Sequence, residues 1–286
     1  MASSFLVLDI ETVLDPELPI SQSGDVERLP AAPHHKVMVI GALLFDQLYQ
    51  VRRIAVLAEG KDESGALFDF ARLMEERRPC LITFNGRGFD LPVIASRCLR
   101  YGITFRHYYH SRDVRYRFSA DGHLDLMDYI ADFGATKSAK LDIVAKLCGM
   151  PGKVGVDGKD VGPLIHAGKI QEVRDYCLCD VAQTAGVFLR LQLVRGEIDR
   201  ERYLAGMASL ISAIHANPKL SPVAAAMNED RLMLREAGSA PAPRPVEAAL
   251  PVPVPAPAPV AAPAPITPES LLPAPVAISP EGGGTT

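Results

Sequence analysis

The sequence predicts an α/β layered fold with a mixed sheet, and three observations carry that expectation. Short unbroken apolar runs at Phe5–Asp9 and Cys80–Phe84 read as strands covered on both faces. Strands come first and then alternate with helices. Strand signals fade after Met127, and the following segments carry helical spacing.

The first strand is Phe-Leu-Val-Leu-Asp, residues 5–9. Lys36–Phe45 and Tyr49–Leu57 read as two more, with Asp46-Gln47 near the turn between them. Glu63–Arg78 places Leu67, Phe70, Leu73 and Met74 at helical spacing. The strand Cys80–Phe84 runs into an Asn85-Gly86-Arg87-Gly88 loop and then a helix from Asp90 to Tyr101. Segments 138–149, 169–195 and 198–215 read as further helices, the last two separated by Gly196. The polar segment Asp15–His35 has no assignment, and His34-His35 within it reads as a solvated loop.

The chain has 286 residues, of which 24 are proline, and 14 of those prolines fall in 238–286. That segment has no aromatic side chain and cannot bury enough surface to offset its ordering entropy, so a disordered Pro/Ala-rich tail is expected. The expected domains are 1–216 as the folded domain, 217–237 as a helical or irregular extension, and 238–286 as the tail. The tail is an inert spacer or an arm for a protein partner. A net charge of −4 excludes a uniformly basic nucleic-acid coat but not a local basic track. No leader or membrane span is read, and five cysteines without metal-site spacing fit reduced thiols in a cytoplasmic protein.

Three local patterns could carry chemistry. Asp9-Ile-Glu11 puts two carboxylates on one face of a strand, about 7 Å apart, suited to a hard divalent cation. A solvated strand terminus explains the pair equally well. Asp90 opens a helix after the loop, where capping accounts for an acid as readily as metal binding does. Tyr176 and Asp180, four apart, share one helix face, a spacing common on exposed helices.

Taken together and in chain order, these patterns resemble the three exonuclease motifs of the tyrosine-containing DEDD superfamily. The likeness is closest to the proofreading 3′–5′ exonuclease domain of family B DNA polymerases and its stand-alone bacterial relatives. It covers roughly residues 4–216 and continues through His123-Leu-Asp-Leu-Met127, Lys137-Ser138, Leu141 and Leu147–Lys153. The resemblance implies a ribonuclease H-like mixed sheet flanked by helices. It also implies that Asp9, Glu11, Asp90 and Asp180 hold two divalent ions, Mg²⁺ or Mn²⁺, while Tyr176 orients the attacking water. Thr12, Asn85 and Phe89 match positions that contact the terminal nucleotides. Asp125 is a spare carboxylate, kept out of the ligand set.

Six arginines lie between Arg97 and Phe118, interleaved with aromatics. Arg106, Arg112, Arg115 and Arg117 are expected to follow a phosphodiester backbone, with aromatics available for bases. The expected activity is metal-dependent removal of nucleotides from 3′ ends of single-stranded DNA, with DNA ahead of RNA. The alternatives are the same chemistry on RNA, or a module that binds nucleic-acid ends without cutting.

Overall fold

The computed structural model describes residues 4–18, 29–155 and 157–236. The proposed tail at 238–286 and residues 19–28 of the unassigned connection therefore lie outside the described residues.

Five strands form one sheet: β1 (Ser4–Leu14), β2 (His35–Asp46), β3 (Val51–Val56), β4 (Cys80–Thr83) and β5 (His123–Asp125). Their order is β3-β2-β1-β4-β5. β2 runs antiparallel to β1 and β3, while β4 runs parallel to β1 and β5. This is the expected mixed, ribonuclease H-like sheet. Early helices are α1 (Glu63–Arg77), α2 (Asp90–Tyr101), α3 (Arg106–His110), α4 (Arg112–Arg115) and α5 (Leu126–Ile130). Later ones are α6 (Leu141–Cys148), α7 (Val161–His166), α8 (Ile170–Val194), α9 (Arg200–His215), α10 (Ser221–Ala226) and α11 (Glu229–Leu232).

Alternation along β1 divides the molecule into two layers. Leu6, Leu8 and Ile10 enter a core shared with Leu67, Phe70 and Met74 of α1 and with Val93, Ile94 and Cys98 of α2. Val7 enters the opposite core, built with Leu178, Val181 and Ala185 of α8. Asp9 and Glu11 share the parity of Val7, so alternation aims both carboxylates toward α8. β1 continues past Asp9 to Leu14, which corrects the expectation that the first strand is residues 5–9 with the acids at its end. A bulge follows them, since Glu11 pairs with Val39 but Thr12 pairs with Val37.

α8 is apolar and long enough to cross a membrane by length and composition, but 72% of its most apolar window is buried inside the fold. It lies close over the sheet because β2 carries Gly41 opposite Asp9. A Cβ there would stand 2.7 Å from the Cys177 sulfur and 3.0 Å from Val181. Beyond residue 216, Leu220, Val223 and Leu232 are fully buried in the same core as α8 and α9.

Candidate active site

Three elements bring the five motif residues together. Asp9 and Glu11 come from β1, Asp90 from the start of α2, and Tyr176 and Asp180 from α8. Asp90 does not cap its helix: Phe89 occupies the cap position without a side-chain bond, and Asp90 is already helical. Its carboxylate instead accepts the Ile10 backbone N–H at 3.1 Å, tying the helix start to β1 between the two other acids. This corrects the capping reading of that segment. The Cys177 thiol donates weakly to the Asp9 carboxylate and the Asp9 carbonyl, both at 3.5 Å.

The acids are electrostatically strained. Burial and then the charges of Glu11, Asp90 and Asp180 push Asp9 far above the usual carboxylate range. Burial, Asp180 and Asp90 do the same to Glu11. Burial pushes Asp90 up to about 7 despite its bond to Ile10. Asp180 is pushed up to about 6 by burial, against the hydrogen bond from Tyr176 and the charge of Lys153. The Tyr176 phenol is raised by burial and by the charges of Asp180 and Glu11, so it keeps its proton. Buried like charges at close range are costly unless a cation compensates them. None of the four acids forms an ion pair among the described residues. Four oxygen donors with uncompensated charge are the donor chemistry that a hard divalent cation takes.

The loop before Asp90 is organised by Asp125. Its two carboxylate oxygens accept the Asn85 and Arg87 N–H groups at 2.9 and 2.8 Å. It also caps α5 through Met127 and Asp128. Those bonds occupy the spare carboxylate. Gly86 allows the turn, because a Cβ there would lie 2.5 Å from Thr83. Asn85 adopts a left-handed conformation, φ +69°, and is half-buried.

Thr12 and Phe89 meet through a residue the sequence reading misplaced. His35 is not a solvated loop residue: it is 4% exposed and begins β2. Strand pairing turns its ring inward, where Nδ1 bonds the Thr12 hydroxyl at 3.0 Å and Nε2 bonds the Pro30 carbonyl at 3.1 Å. Phe89 stands edge-on to the same ring, with centroids 4.9 Å apart. Glu11, Thr12, His35 and Phe89 line one wall of a cleft of about 790 Å³, with Ile165 and His166 also on its lining.

Sequence reasoning also missed Gln183. It is 1% exposed and donates to Asp180 Oδ1 at 3.2 Å, and its position three residues along α8 was the available signal. Gly41 was legible as a glycine inside an apolar strand, which marks close backbone approach.

The arginine segment divides. Arg97 is 1% exposed and held in a buried ion cluster, and Arg100 pairs with Asp15 and Glu17, so neither belongs to a surface track. Arg117 donates to Asp128 at 2.7 and 3.1 Å. Arg106, Arg112 and Arg115 are exposed, and no acid pairs with them among the described residues. Arg115 lies over Tyr108 and Tyr109, and Arg112 over Tyr116, all within 5.6 Å of the ring centroids. Phe105 belongs to the core, while Tyr109, Tyr116 and Phe118 are exposed.

Residues 29–227 match the model of a family described as predicted 3′–5′ exonucleases related to the exonuclease domain of PolB. A search of curated proteins found no match to the chain. Among solved structures, the chain is similar to the family B DNA polymerase of Pyrobaculum calidifontis, at 21% identity and TM-score 0.47. That match covers 82% of this chain and 29% of the polymerase. E. coli exonuclease I in complex with a dA16 oligonucleotide is similar at 17% identity and TM-score 0.33. It covers 71% of this chain and 45% of exonuclease I, so the chain spans less than half of either protein.

Proposed function

The chain belongs to the predicted 3′–5′ exonucleases related to the exonuclease domain of PolB, and on that premise we propose that it removes nucleotides from the 3′ ends of single-stranded DNA. The observation that carries this reading is the convergence of buried Glu11 and Asp90 with half-buried Asp9 and Asp180 into one mutually repelling cluster beside Tyr176. Two divalent ions, Mg²⁺ or Mn²⁺, held by these four side chains would supply a nucleophilic water at neutral pH and neutralise charge on the leaving 3′ oxygen.

The chain's own residues do the rest. Tyr176 stays a neutral phenol hydrogen-bonded to Asp180, which fixes the direction of its hydroxyl and lets it orient the attacking water. Gln183 also holds that carboxylate, donating to Asp180 Oδ1. Thr12 and Phe89, braced by His35, form the wall against which the terminal nucleotide is seated. Asn85 sits in the loop that Asp125 fixes ahead of α2 and contacts the same nucleotide. Arg106, Arg112 and Arg115 take phosphates of the incoming strand, and the exposed rings of Tyr109 and Tyr116 offer stacking surface. Arg117, occupied by Asp128, joins them only by giving up that pair.

End-labelled single strands of DNA and RNA, incubated side by side with Mg²⁺, test the reading. A 3′ label should leave first, as mononucleotide, and faster from DNA. Equal or faster release from RNA would move the substrate to RNA, and binding without release would leave a non-cutting end-binding module.

Positioning a water is a transition-state task, so Tyr176→Phe should lower turnover while leaving substrate affinity nearly unchanged. The expected loss is about 10- to 1,000-fold, at or below the ~10²- to 10⁴-fold of a general acid or base, because bound ions would still activate a less well-placed water. A loss confined to affinity would make Tyr176 a binding residue.

The basic surface is tested by salt. Each neutralised phosphate on a single strand contributes a slope of about −0.7 in log affinity against log salt. Arg112→Ala/Arg115→Ala should therefore flatten the slope by about 1.4. Fluorescence anisotropy in Ca²⁺ reads this without cutting, and an unchanged slope would remove α3 and α4 from the strand's path.

A further inference from the structure

We propose that His35 is a positioning residue that makes the Thr12 hydroxyl a hydrogen-bond acceptor for the 3′-hydroxyl of a strand's last nucleotide. The direction of each bond follows from what its partner can do. A backbone carbonyl only accepts, so His35 Nε2, 3.1 Å from the Pro30 oxygen, carries the ring proton and donates it. Burial holds the imidazole below its ordinary pKa, so in neutral or mildly alkaline buffer the ring is uncharged and Nδ1 keeps a lone pair. Nδ1 lies 3.0 Å from the Thr12 hydroxyl, which therefore spends its only proton on His35. The ring is fixed in this arrangement: it is 4% exposed, tied at both nitrogens, and edge-on to Phe89 at 4.9 Å.

What Thr12 then shows the cleft is oxygen lone pairs and no proton. Its hydroxyl has no second partner among the described residues. Consecutive strand residues normally face opposite sides, but the bulge between Glu11 and Thr12 lets both line the same cleft. With Glu11 ionised, the wall beside the acids offers acceptors alone: a carboxylate, then a hydroxyl whose proton is turned away. An ionised phosphate has no donor to give such a wall, and the bases differ in the donors they carry. The 3′-hydroxyl is the donor that every 3′ end shares, whatever its base. The inference rests on the proposed seating of a 3′ end in this cleft; it adds which group of that end Thr12 recognises and what fixes the polarity of the contact.

The test is fluorescence anisotropy of the full chain in Ca²⁺ and mildly alkaline buffer. It compares single DNA strands ending in a 3′-hydroxyl with the same strands whose last sugar carries hydrogen in its place. The wild type should hold the hydroxyl end about 3- to 10-fold tighter, the worth of one neutral hydrogen bond. Thr12→Val should erase that preference. His35→Phe lets the Thr12 proton turn outward against the incoming hydroxyl, so it should weaken binding of the hydroxyl end and leave binding of the deoxy end unchanged. A merely structural role for His35 would weaken both ends alike, and that result overturns the proposal. So does a wild type with no preference, or a preference that survives either variant. Should His35→Phe fail to fold, the imidazole ¹⁵N shifts of the unmodified protein decide: a proton on Nε2 supports the assignment, and one on Nδ1 overturns it. Mg²⁺-dependent cleavage by the same wild-type sample keeps the two readings apart. A preference lost in both variants, without cleavage, leaves this inference standing while the nuclease reading falls, and cleavage without a preference does the reverse.

Discussion

Asp9→Asn is expected to bind a 3′-ended single strand in Ca²⁺ about as well as the wild type and to cut it at least about 10³-fold more slowly in Mg²⁺, the equivalent of ~4 kcal/mol of transition-state stabilisation. The substitution keeps the side chain's shape and its ability to accept the Cys177 thiol, so folding geometry is preserved. What it removes is the charge at the centre of the cluster, where Glu11, Asp90 and Asp180 all act on Asp9. A second readout follows from the same electrostatics. In metal-free buffer those carboxylates repel one another in a buried setting, so removing one charge should raise the melting temperature. Adding Mg²⁺ should raise the melting temperature of the wild type more than that of the variant, since the ion binds the native state of one better than the other. Loss of cleavage together with a lower metal-free melting temperature would point to disrupted packing rather than a lost ligand.

The second large effect concerns stability. Arg97 is 1% exposed and sits between Glu63 and Asp15, two acids that are likewise buried. It bonds both Glu63 oxygens at 2.7 Å and Asp15 at 2.6 Å. Glu63 also accepts from the Tyr101 hydroxyl and the Val37 backbone N–H, each at 2.7 Å. The cluster therefore joins α1 and α2 to β2 and to the chain just beyond β1, directly under the Thr12 bulge. Glu63→Ala removes the shared acceptor of four of these hydrogen bonds and strands a buried guanidinium with one acid. The expected cost is about 3–5 kcal/mol, typical of breaking a buried ion pair from one side. Urea unfolding reads it as a lower midpoint at unchanged slope. Glu63→Leu/Arg97→Met should cost less than Glu63→Ala, because the guanidinium goes with its acid and Asp15 keeps Arg100 as a partner. Equal costs for the two variants would show that packing, not charge, dominates there.

These residues also mark where sequence reading reaches and where it stops. Asp9, Glu11, Asp90, Tyr176 and Asp180 were legible only through their order along the chain, which resembles the three motifs of the tyrosine-containing DEDD exonucleases; each local pattern alone had a plainer reading. The sheet was legible where apolar runs were long, as in Lys36–Phe45, and not where they were short. β5 has only three residues, His123–Asp125, and two of them are polar. Their burial comes from parallel pairing with β4, which no local pattern announces. His35 was misplaced because the start of β2 is set by pairing with Leu14 rather than by its own neighbours. The Arg97 cluster joins residues 34 and 82 positions apart, so Arg97 looked like one more member of a basic run. Gln183 and Cys177 matter only through what α8 lies against, and that contact depends on Gly41.

The account rests on the four carboxylates being ligands to divalent ions, and Mn²⁺ binding measures this directly. Free Mn²⁺ is counted by its electron paramagnetic resonance signal while the metal-free full chain is titrated, with a 3′-ended single strand present. The wild type should remove Mn²⁺ from solution, and Mg²⁺ should compete it off. Asp9→Asn and Asp180→Asn should each weaken that binding by more than about tenfold, the least expected for losing a direct ligand when outer-shell changes alone cost 10- to 100-fold. Mn²⁺ binding of the same strength in both variants and the wild type would contradict the assignment.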